Sequence, residues 1–233
     1  MKTTNQPLQR SDYRIRLLIG TLGILLPVAL IIAKGSVLAS ISHYYYHNVA
    51  SLIFIIILSA FGLFLLSYKG YRIDPKTEII SDDFITNIGG LAALLVVIIP
   101  TSCDGSGSAV IDGLCGNGLE PLLGHLNNTK NIIHLVAAGV FILTMGWMSS
   151  FKFTRGDDDG YHSLYRWSGY LVFISVGLLL ICKLLVALDV NIFIQDYYVF
   201  IFETTAIIPF GISWLIKGKM VEKVQVISKK MFN

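Results

Sequence analysis

Charge is what this sequence has least of. Asp, Glu, Lys and Arg make up 14% of its 233 residues, against 54% apolar residues. A water-soluble domain keeps roughly a quarter of its residues charged, so an ordinary soluble fold is excluded and lipid is the solvent the composition requires. The familiar signatures of chemistry are missing too. There is no Gly-rich phosphate loop, no Gly-x-Ser-x-Gly nucleophile turn, no His-Glu-x-x-His and no dinucleotide fingerprint. No internal duplication is visible, as an inverted-repeat transporter would show.

What is present is six apolar runs of helix length, at 17–33, 49–68, 84–100, 131–150, 168–188 and 197–216. A helix needs about 20 apolar residues to cross the hydrocarbon core, and in lipid only helices or closed barrels satisfy their backbone groups. The expected fold class is therefore all-α, an integral membrane bundle of six transmembrane helices. Pro27 falls inside the first run, and neighbouring helices accommodate such a break in lipid. A small-residue site near Ala39 makes that run resemble a signal peptide, but its length and Lys34 favour an uncleaved helix.

Of the 18 basic residues, 15 lie in the N-terminal arm, the second and fourth connections and the tail. Lys34 and Lys130 stand on the opposite side, and Lys183 lies within a helix. Cytoplasmic segments carry the basic excess, so both termini are expected to be cytoplasmic. Residues 1–16 then form a cytoplasmic arm, 17–216 the transmembrane domain with an external loop at 101–130, and 217–233 a basic cytoplasmic tail. The net charge of +3 reports topology, not nucleic-acid binding.

Only three cysteines occur. Cys103 and Cys115 share the external loop, where an oxidising exterior permits a disulfide worth on the order of 3 kcal/mol; free thiols or metal ligation are the alternatives. Cys182 sits in the fifth helix. The same loop is Gly-rich and carries an Asn127-Asn128-Thr129 sequon. Asp157-Asp158-Asp159 lacks the alternating spacing of a calcium loop and reads as a solvated charge run.

The densest stretch is Ser40-Ile41-Ser42-His43-Tyr44-Tyr45-Tyr46-His47-Asn48, before the second helix. His43 and His47 are four residues apart, so a helix extended by one turn would present both on one face. The competing reading is an aromatic belt at the headgroups. Lys183 and Glu203 lie roughly 8 to 9 Å below the outer boundary, counted at about 1.5 Å per residue. Ionisable groups inside a span are costly and by default mark a site; a structural ion pair or a snorkelling lysine is the alternative. His134 lies at a similar depth.

Several short motifs recur in one order. Ser40-Ile41-Ser42 precedes helix two and Tyr68-Lys69-Gly70-Tyr71 follows it; Asn87 and Gly89-Gly90 lie in helix three, His134 opens helix four, and Phe202-Glu203 and Phe210-Gly211-Ile212-Ser213-Trp214 lie in helix six. On these residues the chain resembles uncharacterised bacterial six-helix integral membrane proteins and is similar in architecture to the DRAM-type family. That resemblance implies a six-helix bundle with cytoplasmic termini and no established activity. A weaker similarity, through Ser42, His43, His47 and His134, is to the alkaline ceramidase and progestin and adipoQ receptor membrane hydrolases. It implies zinc, although this chain has six helices where those have seven and lacks a final His-x-x-x-His.

The leading expectation is non-enzymatic: binding of a lipid or small amphiphile in an outward-facing pocket of Ser42, His43, Tyr44, Tyr46, His47, His134, Lys183 and Glu203, with no cofactor. Lys183 would meet an anionic headgroup and Glu203 would balance it in the empty state. The alternative is a zinc-dependent intramembrane lipid hydrolase or amidase with His43, His47 and His134 on the metal and Glu203 as general base. A proton-coupled carrier using Glu203 and Lys183 is the third. Membrane lipids are the expected partners, and a bacterial inner (plasma) membrane the expected location.

Overall fold

The computed structural model describes residues 10–71, 73, 78–103, 123–155 and 159–220. Regular structure among them is entirely helical. In chain order it comprises α1 (Arg10–Lys34), a short 3-10 segment (Ile41–Tyr46), α2 (Asn48–Ser67), α3 (Asp82–Ile98), α4 (Asn128–Trp147), a π-helical turn continuing α4 (Met148–Lys152), α5 (His162–Ala187) and α6 (Tyr198–Lys217). Each long helix falls on one of the six apolar runs. Five of them are long and apolar enough to cross a membrane, consistent with an integral multipass membrane protein. The exception, α3, has 17 residues.

The ends of the helices follow local chemistry. Gly35, at φ 78, ends α1 in the left-handed region that costs glycine nothing, and its N–H donates to the Ile31 carbonyl at 2.7 Å. The Ser81 hydroxyl accepts from Phe84 N–H at 3.0 Å, and Asp82 and Asp83 place negative charge in the first turn of α3. Asn127 caps α4 by accepting from Lys130 N–H at 3.0 Å.

Successive helices pack as neighbours and α6 returns to α1, closing a ring. Lipid supplies no hydrophobic push between helices, so close backbone approach must hold them. Three glycine pairs permit it: Gly20 with Gly211, Gly62 with Gly90, and Gly146 with Gly169. A Cβ on one member of each pair would stand 2.6 to 2.9 Å from the other's carbonyl oxygen. The small residues of α3 are thus a packing face, as their composition suggests.

One end of the ring is charged. Arg16 is fully buried there; its Nε and Nη2 donate to the Tyr68 hydroxyl at 3.0 and 2.6 Å, and Nη1 to the Lys217 carbonyl at 3.2 Å. The rings of Tyr13, Tyr68, Tyr71 and Phe153 surround its guanidinium at 5.3 to 5.8 Å. Lys152 bonds Glu78 at 3.0 Å, and Arg155 pairs with Glu78 and Asp82. Asp159, the described member of the acidic run, is partnered by Tyr165 at 2.9 Å and Lys217 at 3.2 Å. Asp157 and Asp158 lie outside the described residues, as do 104–122 of the long loop and 221–233 of the tail.

The opposite end, called the histidine end below, is less evenly packed. Its buried residues on α5 stop at Ser175, twelve residues before the helix does. Only 11% of the apolar window of α5 is buried, against 39% in the other four candidate spans. Beneath this loosened half lies an apolar recess between α4, α5 and α6, lined by Phe141, Met145, Val172, Ala206, Ile207 and Phe210.

Candidate functional site

The 3-10 segment begins at Ser40 because that side chain accepts the Ser42 N–H at 3.1 Å, which turns the backbone before α2 can start. Its tyrosines then point inward. Tyr44, Tyr45 and Tyr46 are 0, 2 and 1% exposed. The Tyr44 hydroxyl donates to Ser36 carbonyl at 2.9 Å and accepts Leu38 N–H at 3.2 Å. The Tyr46 hydroxyl donates to Thr101 carbonyl at 2.5 Å. An aromatic belt does not describe them: their rings are core and their hydroxyls hold connecting backbone.

The expected shared helical face of His43 and His47 is also overturned. His47 adopts φ −123 and ψ 96, an extended conformation between the 3-10 segment and α2, so no helical turn joins the two rings. Burial, with His134 and His47 nearby, pulls the His43 imidazole down to about 4. His47 is lowered as well, by partial burial and the Lys34 charge.

Three elements converge on the Ser40 to Ser42 turn. From α6, the Glu203 carboxylate accepts the Ser40 hydroxyl at 3.0 Å and the Ile41 N–H at 2.7 Å. From α4, His134 Nε2 lies 2.9 Å from Ser42 Oγ, and its Nδ1 lies 2.7 Å from the Ile99 carbonyl at the end of α3. A carbonyl only accepts, so Nδ1 carries the proton, and Ser42 donates to Nε2. Nearer the start of α4, Asn131 Oδ1 accepts Thr101 Oγ1 and Ser102 N–H, both at 3.0 Å, and His125 Nε2 meets the Pro100 carbonyl at 2.8 Å.

Ser42, His43, His134 and Glu203 are thus brought together, and Lys183 is not. Glu203 takes neutral donors in place of the expected Lys183 partner, and Lys183 is exposed on α5. On a 3.6-residue repeat Lys183 stands five turns from Tyr165, on the stripe that faces the bundle. It lies beyond Ser175, the last buried residue of α5, where that stripe is only partly covered.

Among the described residues no group of three His, Cys, Asp or Glu side chains is placed to hold a metal ion. Of the expected His43, His47 and His134 set, both ring nitrogens of His134 are engaged, one by the Ile99 carbonyl and one by Ser42. Cys115 lies outside the described residues, so the expected disulfide does as well. Cys103 is fully buried, its N–H donating to the His125 carbonyl at 3.0 Å, and Cys182 is a free thiol.

Ser40, noted in the sequence only as part of its motif, and Ile99, Thr101, His125 and Asn131, not singled out there, complete the cluster. Asn131 precedes His134 by three residues and so shares its helix face, a signal available beforehand. The carbonyl of Ile99 left none. No family model, curated protein or solved structure matches this chain.

Proposed function

We propose that the chain is a six-helix membrane protein whose histidine end faces outward across a bacterial inner membrane and there binds a lipid with an anionic headgroup. In this reading α3 is the sixth span, both termini are cytoplasmic, and Cys103 and Cys115 form a disulfide that a mass shift on reduction and alkylation would report. The kinship with DRAM-type proteins is part of the same proposal. The basic residues Arg16, Lys152, Arg155 and Lys217 gathered at the charged end support the orientation.

The observation that carries the binding reading is the recess beside the half-released α5. Glu203 shares a face of α6 with Ile207 and Phe210, and His134 shares a face of α4 with Phe141 and Met145, all four of which line the recess. A small apolar recess therefore lies on the same two helix faces as the polar cluster, and α5 carries no buried residue beyond Ser175. An acyl chain entering between α4 and α5 has to part the walls of this recess to fit. Lys183, at the mouth, meets the anionic headgroup, and its hydroxyls reach Glu203. His47 Nε2 and Thr204 Oγ1, buried and without a hydrogen-bond partner among the described residues, supply two further polar contacts.

Cross-linking with a diazirine-bearing phospholipid in nanodiscs tests this. Adducts are expected to concentrate on 141–145 and 206–210 and to fall at least fivefold in Ala206→Phe, which fills the recess. Even labelling of all lipid-facing helices, unchanged by Ala206→Phe, would overturn the reading.

A further inference from the structure

At the histidine end a nucleophile, a base and an orienting group stand in series. The His134 tautomer is fixed, with its proton on Nδ1 toward the Ile99 carbonyl at 2.7 Å, so Nε2 is a bare acceptor that the Ser42 hydroxyl meets at 2.9 Å. The orienting group is the C-terminal end of α3. Ile99 caps that helix, and the Val96 carbonyl of its last turn also contacts the His134 ring. Carbonyls at a helix C-terminus carry partial negative charge. They hold the imidazole in one tautomer and orientation, a service a carboxylate performs in a Ser-His-Asp site. Ser42 and His134 are 8 and 1% exposed, so the pair is shielded from bulk water. The His43 ring is buried nearby and makes no side-chain hydrogen bond among the described residues.

We propose that Ser42 is an acyl-accepting nucleophile and His134 its general base, acting on a carboxylic ester of the amphiphile whose chain occupies the recess; this rests on the lipid-binding reading above. Ser42 Oγ bonds to the ester carbonyl carbon while its proton passes to His134 Nε2. The carbon–oxygen bond to the alcohol portion then breaks, and the leaving oxygen takes the proton from Nε2. Water attacks the acyl-serine next, giving a proton to Nε2 as its oxygen bonds to the carbonyl carbon. Departing Ser42 Oγ recovers that proton, releasing a fatty acid and the free enzyme. No metal, oxidant or reductant enters the balance. Backbone donors around Ser42 are already committed, Ile41 N–H to Glu203 and the N–H groups of Ser42 and His43 to Ser40, so in this proposal the oxyanion falls to the His43 ring.

The test uses the full-length protein in nanodiscs, treated with a fluorophosphonate probe and mapped by mass spectrometry, with diazirine-lipid cross-linking run in parallel. A fluorophosphonate adduct on Ser42 of the wild-type chain is expected. It disappears in Ser42→Ala and falls at least tenfold in His134→Gln, while lipid cross-linking at 141–145 persists in both. Release of p-nitrophenol from a medium-chain p-nitrophenyl ester should follow the adduct across the same variants. An unlabelled wild-type Ser42 alongside intact lipid cross-linking overturns this proposal and leaves the lipid reading standing. Loss of cross-linking at the recess in the wild-type chain overturns the lipid reading instead. Should Ser42→Ala fail to fold, Ser42→Cys keeps the shape, and a wild-type adduct mapping to any other residue refutes the assignment on its own.

Discussion

Arg16 concentrates the residue-scale physics of the charged end. A guanidinium buried without a carboxylate within ion-pair distance among the described residues depends on two Tyr68 contacts, one carbonyl and a cage of aromatic faces. Removing the Tyr68 hydroxyl leaves two N–H donors unmet, at about 1 to 3 kcal/mol. Tyr68→Phe should therefore lower the thermal midpoint in detergent by several degrees, and Tyr13→Phe, which keeps its ring, should not. At the histidine end the pertinent group is His43. Its folded value of about 4 lies below the ordinary 6.5 because burial disfavours the cation. Between those values the unfolded chain binds more protons, so stability is fully present above pH 6.5 and falls as pH drops toward 4. The full shift corresponds to on the order of 3 kcal/mol. Thermal midpoints measured from pH 7.5 to 4.5 should decline, and His43→Gln should flatten the decline; an unchanged slope would refute the assignment.

Among the helices, glycine position should separate packing from exposure. A Cβ added to Gly90 would stand 2.7 Å from the Gly62 carbonyl oxygen, whereas one added to Gly177 on α5 would meet no atom within 4 Å. Gly90→Val forces α2 and α3 apart and should destabilise by about 2 kcal/mol or more through overpacking. Gly177→Val should be neutral or mildly stabilising, since it removes a glycine from a helix interior. Chemical denaturation of both variants checks the contrast. All six helices were legible because length and apolarity alone decide a helix in lipid. Their relations were not. Depth counting set Lys183 level with Glu203, but depth carries no information about the distance between two helices, and Lys183 lies on the part of α5 that carries no buried residue. The tyrosines misled for a related reason. Residue type at a membrane boundary identifies an amphipathic ring, while its direction was set by backbone carbonyls at Ser36 and Thr101, which no side-chain pattern reveals. His134 and Glu203 were legible as polar groups within spans; their connection through Ser40 and Ser42 depended on the 3-10 turn.

For the molecule as a whole, the positive-inside count and the two unlike ends make one joint prediction. In a Cys182→Ala background, Ser36→Cys should react with a membrane-impermeant maleimide in intact cells, and Lys69→Cys only after permeabilisation. Both positions are exposed and stand at opposite ends of the ring. The reverse pattern would place the histidine end in the cytoplasm and remove the basis for an outer-leaflet ligand.

The ring closure between α1 and α6 also dictates an order of assembly. α1 is made first, yet its Gly20 surface, the Ile41 N–H beyond it and the Nη1 donor of Arg16 all find their partners on or just after the helix that opens at Tyr198. A nascent chain therefore carries an open seam through most of its synthesis. A product truncated before α6 keeps five helices and loses both the carboxylate at one end of that seam and the carbonyl at the other. The last helix thus acts as a completeness check, since the polar groups at both ends of the bundle are satisfied only in a chain that has been translated through Lys217.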